Sequence, residues 1–416
     1  MTESVRNNDD QWLPAIINAW QLVKKEGIAA TIEGAAALRL HGCAISPGPW
    51  IEISVQWDAI ETFFKNGSLN QKSILNKFKR ICFFTFKLDD YYVKIIGYLG
   101  TVVRTDPDRM SISIGTEQIA VKSLSSFLRC TDPDDTCRKA AKSYMQKLQA
   151  QDADRNGQAW NDEAYRAWIN RFGTPEEAAA KIKRDPIGRL GSLADYLTDC
   201  NDQCVINLLG SHAGKALALS LLGANVTVVD ISAENAAYAG KTAEALGVSL
   251  NYIVSDVLKL PIAEHKGRYD KVFMELGILH YFIDLEPLAD LIEQLLKPGG
   301  TFIIQEFHPV STKLVTTRGK RQIVFGNYFD QSLHTRSVAF TKHLDPSHQC
   351  KAHEERTVYL REWTLGEIVT TFAQAGLIVS RLDEQPNMKI NDIGLPKLFT
   401  LVCVKPGGTK QIQRKC

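Results

Sequence analysis

Long apolar runs are missing from this 416-residue chain, and no stretch approaches the roughly 20 residues that a membrane helix needs. Its first residues, MTESVRNNDDQW, lack a basic-then-apolar leader. The two absences give the expectation of a soluble, cytoplasmic protein with no membrane partner. An excess of one charge is missing too. Forty-nine Lys and Arg stand against forty-seven Asp and Glu, a net charge of +2, far from the positive field that nonspecific nucleic-acid binding requires. No nucleic-acid partner is expected. The nine cysteines are odd in number and hold no C-x-x-C pair, which suits reduced core thiols rather than a disulfide framework. Internal repeats and low-complexity tracts are also absent.

What is present is ordinary globular usage, 44% apolar and 23% charged, over a length that suits two or three compact units. The spacing of Leu13, Ile16, Ile17, Trp20, Leu22 and Val23 predicts a helix over 11–26 that runs into an apolar stretch at 28–32. Strand-like runs follow at 51–55, 81–88, 92–99 and 110–114, with amphipathic stretches at 35–41 and 59–65 between them. A helix is expected over 119–128. Polar residues 131–156, with TDPDD and KAAKSYMQKLQAQ, read as a connector. From Trp160, helical segments lead into strand–helix alternation; one of them has Thr174 as its cap and Pro175 at its first position. That alternation predicts a parallel, doubly wound sheet. The expected division is residues 1–130, a helical connector at 131–157 and a second domain at 158–408.

The strongest signal lies at 205–230. Apolar 205–209 is a strand, GSHAG (Gly210 to Gly214) a tight turn, 215–222 a helix, and 226–229 a second strand ending on Asp230. A glycine-bearing turn lets backbone N–H groups and the helix N-terminus approach a ligand, and an acid at the next strand's end can hold two ribose hydroxyls. The G-x-G-x-x-G fingerprint of nicotinamide sites is absent, because His212 and Ala213 stand in its place. Downstream, Ser255-Asp256 ends a third strand, Tyr269-Asp270 opens a fourth that leads to ELGILHYF, and LLKPGG turns into a fifth at 301–305. These five motifs, in this order and spacing, resemble the class I S-adenosylmethionine-dependent methyltransferases of small-molecule type, over roughly 160–406. The resemblance implies an α/β fold: a doubly wound Rossmann-like sheet closed by a C-terminal antiparallel hairpin, here GLIVSRLDE with LPKLFTLVCVKP. S-adenosyl-L-methionine is then the cofactor. By position, Gly210, Ser211, His212 and Gly214 form the cofactor turn, Asp230 is the ribose acid with Ile231 beside it among the cofactor contacts, Asp256 and Val257 meet the adenine, and Glu275 and Leu276 lie near the methionine end. Leu208 stands near the position of the family's first-strand acid. Removing Asp230 is expected to weaken cofactor binding without unfolding the chain.

Methyl transfer needs few obligatory groups, since holding nucleophile, methyl and sulfur in line is worth up to ~7–11 kcal/mol. Where the nucleophile is a hydroxyl or an acidic carbon, a proton acceptor adds rate. Candidates at the carboxyl ends of strands four and five are His280, Tyr281, Glu306 and His308, the last placed over the sheet edge by the following Pro309. Trp160 and Tyr165 are candidates to pack on the sulfonium. The insertion after His308 carries Lys313, Arg318, Lys320 and Arg321 without a carboxylate up to Phe329, which suits a solvated loop or a lid over an anionic small-molecule substrate. His343, His348, Cys350 and His353 match no zinc spacing, and no metal is assigned.

The first domain, with TIEGAAALRLHG followed by WIEISVQWD, resembles the nucleotidyltransferase fold over about 110 residues. That chemistry needs carboxylates to hold two metal ions. Here Ala35 stands at the serine position, Trp50 and Glu52 at the aspartate pair and Lys94 at the third acid, so a smaller α/β nucleotidyltransferase-like domain without activity is expected, as a scaffold, a substrate-presenting module or the interface of a homodimer. The reading is S-adenosylmethionine-dependent methyl transfer to a small molecule; the alternative is a non-catalytic cofactor- or partner-binding protein that retains both folds.

Overall fold

Each of two units, 1–148 and 149–416, is built on a seven-stranded sheet. The computed structural model describes residues 6–46, 48–66, 75–78, 80–129, 132, 134–319, 321–345, 357–388 and 394–407. The first unit holds β1 (Ala30–Glu33), β2 (Trp50–Val55), β3 (Asn76–Phe78), β4 (Ile81–Leu88), β5 (Tyr91–Tyr98), β6 (Arg109–Ile114) and β7 (Glu117–Lys122), in the order β3-β4-β5-β2-β1-β7-β6. Strand periodicity puts Cys82, Phe84 and Phe86 of β4 inside, where they join Ile32, Ile53 and Ile95 under Ile16 and Val23 of the first helix. The helix expected over 119–128 is half strand. Residues 117–122 pair with β6 and, through Val121, with Ile32 of β1, and only Leu124–Leu128, capped by Ser123, is helical. Ile119, Ala120 and Val121 form a short continuous apolar run, which periodicity cannot tell from a buried helix. The stretch read as a connector is largely one helix of 25 residues, Thr136–Trp160, and the division between units falls inside it.

The second unit holds β8 (Cys204–Leu208), β9 (Asn225–Asp230), β10 (Asn251–Val254), β11 (Tyr269–Glu275) and β12 (Leu296–Phe307) as parallel neighbours. Within the insertion, β13 (Val315–Arg318) pairs with β14 (Arg321–Val324), and β15 (Leu333–Ser337) with β16 (Thr357–Arg361). Next come β17 (Ile378–Pro386) and β18 (Pro396–Val404), and β18 runs antiparallel to both β12 and β17. The sheet order is β10-β9-β8-β11-β12-β18-β17. Sequence order reverses between β8 and β11, the switch point at whose carboxyl edge open α/β sheets bind ligands. One face (Val205, Phe273, Ile303) packs on the helices Gly214–Leu221 and Ala233–Leu246. The other (Ile206, Leu208, Met274, Phe302) packs on Glu286–Leu295 and Leu365–Gln374.

The insertion has its own core, in which Val338, Phe340 and Leu360 pack on Ala164 and Trp168. Lys313 is no part of an anion-attracting lid: it is buried, and its Nζ donates to the carbonyls of Asp330 and Glu362. Lys320, His348, Cys350 and His353 lie outside the described residues, and His343 sits beside Arg171. Among the described residues no helix is long and apolar enough to cross a membrane.

Candidate active site

Four residues with side chains hold left-handed backbone angles at the switch point: Leu209 (φ 49°), Ser211 (48°) and Ala213 (57°) after β8, and Leu276 (44°) after β11. Such angles are unfavourable for residues with a Cβ and persist where the surroundings over-determine them, as at ligand clamps. The packing here shows what holds them. A Cβ on Gly210 would lie 2.6 Å from both Asn207 Oδ1 and Val228 Cγ1. Asn207, rather than Leu208, is therefore the β8 residue under the turn, and its Nδ2 donates to the Phe273 carbonyl of β11 at 3.3 Å. Leu208 is in the core. The two strand ends are thus tied together where the sheet reverses.

Asp230 ends β9, almost wholly buried. Its Oδ2 accepts from Ser211 N–H at 2.9 Å, and its Oδ1 from Ser232 N–H at 2.9 Å and Asn235 Nδ2 at 3.0 Å. Burial raises its pKa, against the lowering effect of these three donors. The carboxylate so fixes the turn, and one acceptor position on Oδ2 is left over. The hydroxyl of Ser211 is buried with no hydrogen-bond partner. A pair of ribose hydroxyls fits that donor and acceptor set. Ile231 packs on the helix Thr136–Trp160, where a Cβ on Gly157 would come within 3.0 Å of its Cδ1. Asp256 accepts from Leu258 N–H at 3.0 Å, and the Val257 side chain belongs to the core, so only its backbone can meet a ligand. Glu275 is ion-paired with Lys215, and Leu276 is exposed beside it.

The four catalytic candidates separate. Glu306 is no base. Its Oε1 accepts from Gly277 and Phe307 N–H, its Oε2 from Ile278 and Leu279 N–H, at 2.6–3.2 Å, so its lone-pair sites are spent on three N–H groups of the loop after β11 and one at the end of β12. His308 does not project over the edge either. It is 3% exposed, its Nε2 faces Glu384 Oε1 at 2.7 Å, and its Nδ1 accepts from Val310 N–H at 3.2 Å. The β12–β18 ladder runs through Phe307, and His308 N–H continues it to the Lys397 carbonyl, which fixes the imidazole against Phe399 instead. His308→Gln is accordingly expected to leave methyl turnover and its pH profile unchanged and to lower stability by about 1 kcal/mol, read by denaturant titration. Tyr281 Oη accepts from Trp160 Nε1 at 3.0 Å, and burial raises its pKa. Trp160 also stacks near Trp168, and Tyr165 packs on Tyr238. His280 lies edge-on to Tyr281, its pKa lowered to about 4 by burial.

His212 stacks on Phe172 at 4.5 Å and lies tilted against Trp168 at 4.9 Å between ring centroids. Burial, then the Arg189 charge, lowers its pKa to about 3. A histidine kept neutral in the fold but free to charge when unfolded, near pH ~6.5, makes the unfolded state bind more protons below that pH. Stability therefore falls as pH drops from ~6.5 toward 3, by roughly 1.4 kcal/mol per pH unit for this one group. His212→Gln is expected to remove that share of the slope between pH 6 and 5, measured by denaturant unfolding; an unchanged slope would contradict the buried, neutral ring.

Comparison with known proteins falls on this edge. Residues 209–304 match the family model described as a methyltransferase domain. The demethylmenaquinone methyltransferase of Thermus thermophilus is 30% identical over 111 residues, 27% of this chain and 46% of that protein. The ubiquinone biosynthesis O-methyltransferase of Cronobacter sakazakii is 40% identical over 78 residues, 19% of this chain and 31% of that one. The chain thus spans less than half the length of these relatives. A solved S-adenosylmethionine-dependent methyltransferase from Mesorhizobium loti aligns over 51% of this chain and 96% of its own, at 18% identity and a TM-score of 0.42. The family match thus places the similarity to a methyltransferase domain in the second unit, from the turn after β8 into β12.

Proposed function

We propose that this chain transfers the methyl group of S-adenosylmethionine to a small-molecule acceptor by in-line displacement at the carboxyl edge of β8 and β11. The observation that carries the reading is the cluster of left-handed residues there, Leu209, Ser211, Ala213 and Leu276, inside or beside a turn held by Asp230 and Asn207. When bound, the cofactor supplies a sulfonium-activated methyl group. The chain's own part is positioning. Asp230 and Ser211 hold the ribose, the 210–214 backbone lies along the methionine end, and Asp256 with the Val257 backbone meets the adenine. Glu306 fixes residues 277–279, and so the floor on which an acceptor rests. Alignment of this kind is worth up to ~7–11 kcal/mol. His280 is the remaining candidate proton acceptor at this edge, and with a pKa lowered to about 4 it is a weak one, which leaves alignment as the main device.

Leu276 and Phe307, exposed at the ends of β11 and β12, suit an acceptor with an apolar body. The names of the two relatives, a demethylmenaquinone methyltransferase and a ubiquinone biosynthesis O-methyltransferase, support a small-molecule acceptor in the same way. Incubation of the full chain with methyl-labelled cofactor and a panel of phenols, quinols and aliphatic acids tests the reading; transfer to one class is the expected result. Cofactor binding without transfer to any would favour the non-catalytic alternative.

The nucleotidyltransferase-like first unit is proposed to transfer no nucleotide. Glu52, on β2, lies beside two partners in register: Glu33 of β1 and Lys94 of β5. The motif positions hold one carboxylate, and the fold brings Glu33 beside it. Yet Lys94 Nζ binds Glu52 at 3.0 Å, Tyr98 Oη donates to Glu33 at 3.0 Å, and Lys122 Nζ is 3.9 Å from Glu33. Two lysines thus stand against the carboxylates that metal ions would need. Magnesium and labelled nucleoside triphosphates are expected to give no transfer with the full chain; transfer lost on Glu52→Gln would overturn this.

A further inference from the structure

The parallel strands of the second unit have another edge. β8, β9, β10 and β11 begin with Cys204, Asn225, Asn251 and Tyr269, and all four residues line one cavity of about 560 Å³. That volume suits a small metabolite. Because the strands are parallel, the cavity lies at the amino edge of the sheet, and the five residues of β8 separate it from the turn at Gly210 by about 13 Å. No carboxylate lines it, whereas Arg268 and His265 do. Asp270, on the same strand end, is held by Lys297 Nζ at 2.7 Å and by Cys204 N–H at 2.8 Å.

A chain of hydrogen bonds behind the cavity wall sets the proton on His265. Asn251 Nδ2 donates to Thr227 Oγ1 at 3.3 Å, which frees the Thr227 proton for the Tyr269 oxygen. The Tyr269 proton then serves His265 Nδ1, 2.8 Å away. Each hydroxyl has one proton to give, so a chain that starts on an amide N–H runs in one direction and leaves the imidazole proton on Nε2. Burial lowers the His265 pKa, opposed by Glu264 and aided by Arg268, and the ring is neutral at pH 7.

His265 is only 9% exposed, yet its Nε2 has no partner among the described residues. Neither has the exposed guanidinium of Arg268. Both groups are held in place, since Gly267 and Arg268 N–H donate to the carbonyls of Gln294 and Leu295 at the end of the helix Glu286–Leu295. Asn225 and Ser249 add polar side chains to the wall, also without hydrogen bonds among the described residues. A guanidinium beside a neutral N–H donor is the complement of an anionic oxygen pair.

We propose that this cavity is a second ligand site, in which Arg268 and the His265 Nε2–H take the anionic oxygens, carboxylate or phosphate, of a hydroxyl-bearing small molecule. Asn225 and Ser249 meet its hydroxyls. The site is independent of the proposed cofactor site, because the sheet stands between them.

The test is calorimetric titration of the full chain with gluconate, with glucose 6-phosphate and, as the neutral control, with glucose, each with and without S-adenosylhomocysteine. One of the two anions is expected to bind at least about 10-fold more tightly than glucose, the range of a hydrogen bond to a charged group, and which of them does so assigns carboxylate or phosphate. Arg268→Gln should abolish that margin, and S-adenosylhomocysteine should leave it unchanged. Asn225→Asp, which sets a carboxylate on the wall, should weaken anion binding as well and is read in the same way if the first variant does not fold by circular dichroism. Anions that bind no better than glucose, a margin that survives either substitution, or displacement by S-adenosylhomocysteine would overturn the proposal.

Discussion

Asp230→Ala should lower cofactor affinity by about 100-fold and stability by about 3 kcal/mol, the first from the charged acceptor lost to the ribose and the second from donors left stranded. The sequence alone suggested that this residue could be removed without harm to the fold. The structure corrects that, because the carboxylate accepts from Ser211, Ser232 and Asn235 as well. Each buried donor left without a partner is destabilising by ~1–3 kcal/mol, offset in part by the desolvation relieved when a buried charge is removed. Asp230→Asn separates the two effects: it keeps the volume and one oxygen, so the loss of stability should be smaller while affinity still falls about 10-fold. Equilibrium dialysis with labelled S-adenosylmethionine and thermal denaturation of the three proteins read both quantities. Equal affinities would remove Asp230 from the site.

The second large effect is expected at Glu306. Its two oxygens take four backbone N–H groups, from Gly277, Ile278, Leu279 and Phe307. Burial raises its pKa, while the four N–H groups act to lower it. Glu306→Gln would turn an amide NH₂ toward two of those donors, at a loss of about 3 kcal/mol. The loop begins with Leu276 at φ 44° and Gly277 at φ 76°, a course that the carboxylate stabilises. Turnover should therefore fall by at least about 10-fold, and hydrogen exchange at 277–279 should quicken. A variant as stable and as slowly exchanging as the wild type would contradict the role given to this carboxylate.

Local chemistry made much of the second unit legible. Thr174 and Pro175 spell a capped helix start, and the structure adds Glu177 to close a reciprocal capping box there. The runs at 205–209 and 226–229 are apolar between turn residues, and β8 and β9 lie there, with Leu209 alone left outside the strand. What failed depended on partners distant in sequence. The alternation of β8 gave no end point, because Leu208 and Leu209 are both apolar, and the residue under the turn was therefore misplaced by one. Pro309 constrains the backbone of His308 but not the direction of its ring, which Glu384 and Phe399 decide from other strands. Glu306 reads as a candidate base because three of its four donors are invisible until the loop after β11 folds over it. The Arg189–His212 pair, 23 residues apart, leaves no periodic signal at all.

The central claim is a cofactor site at the carboxyl edge of β8 and β11, and titration of the full chain with S-adenosylhomocysteine, followed by hydrogen–deuterium exchange, tests it most directly. The account predicts saturable binding at one site per chain, with slowed exchange confined to the 209–216 turn, the ends of β9 and β10, and residues 275–279. Absence of binding, or protection elsewhere with these segments unchanged, would contradict it.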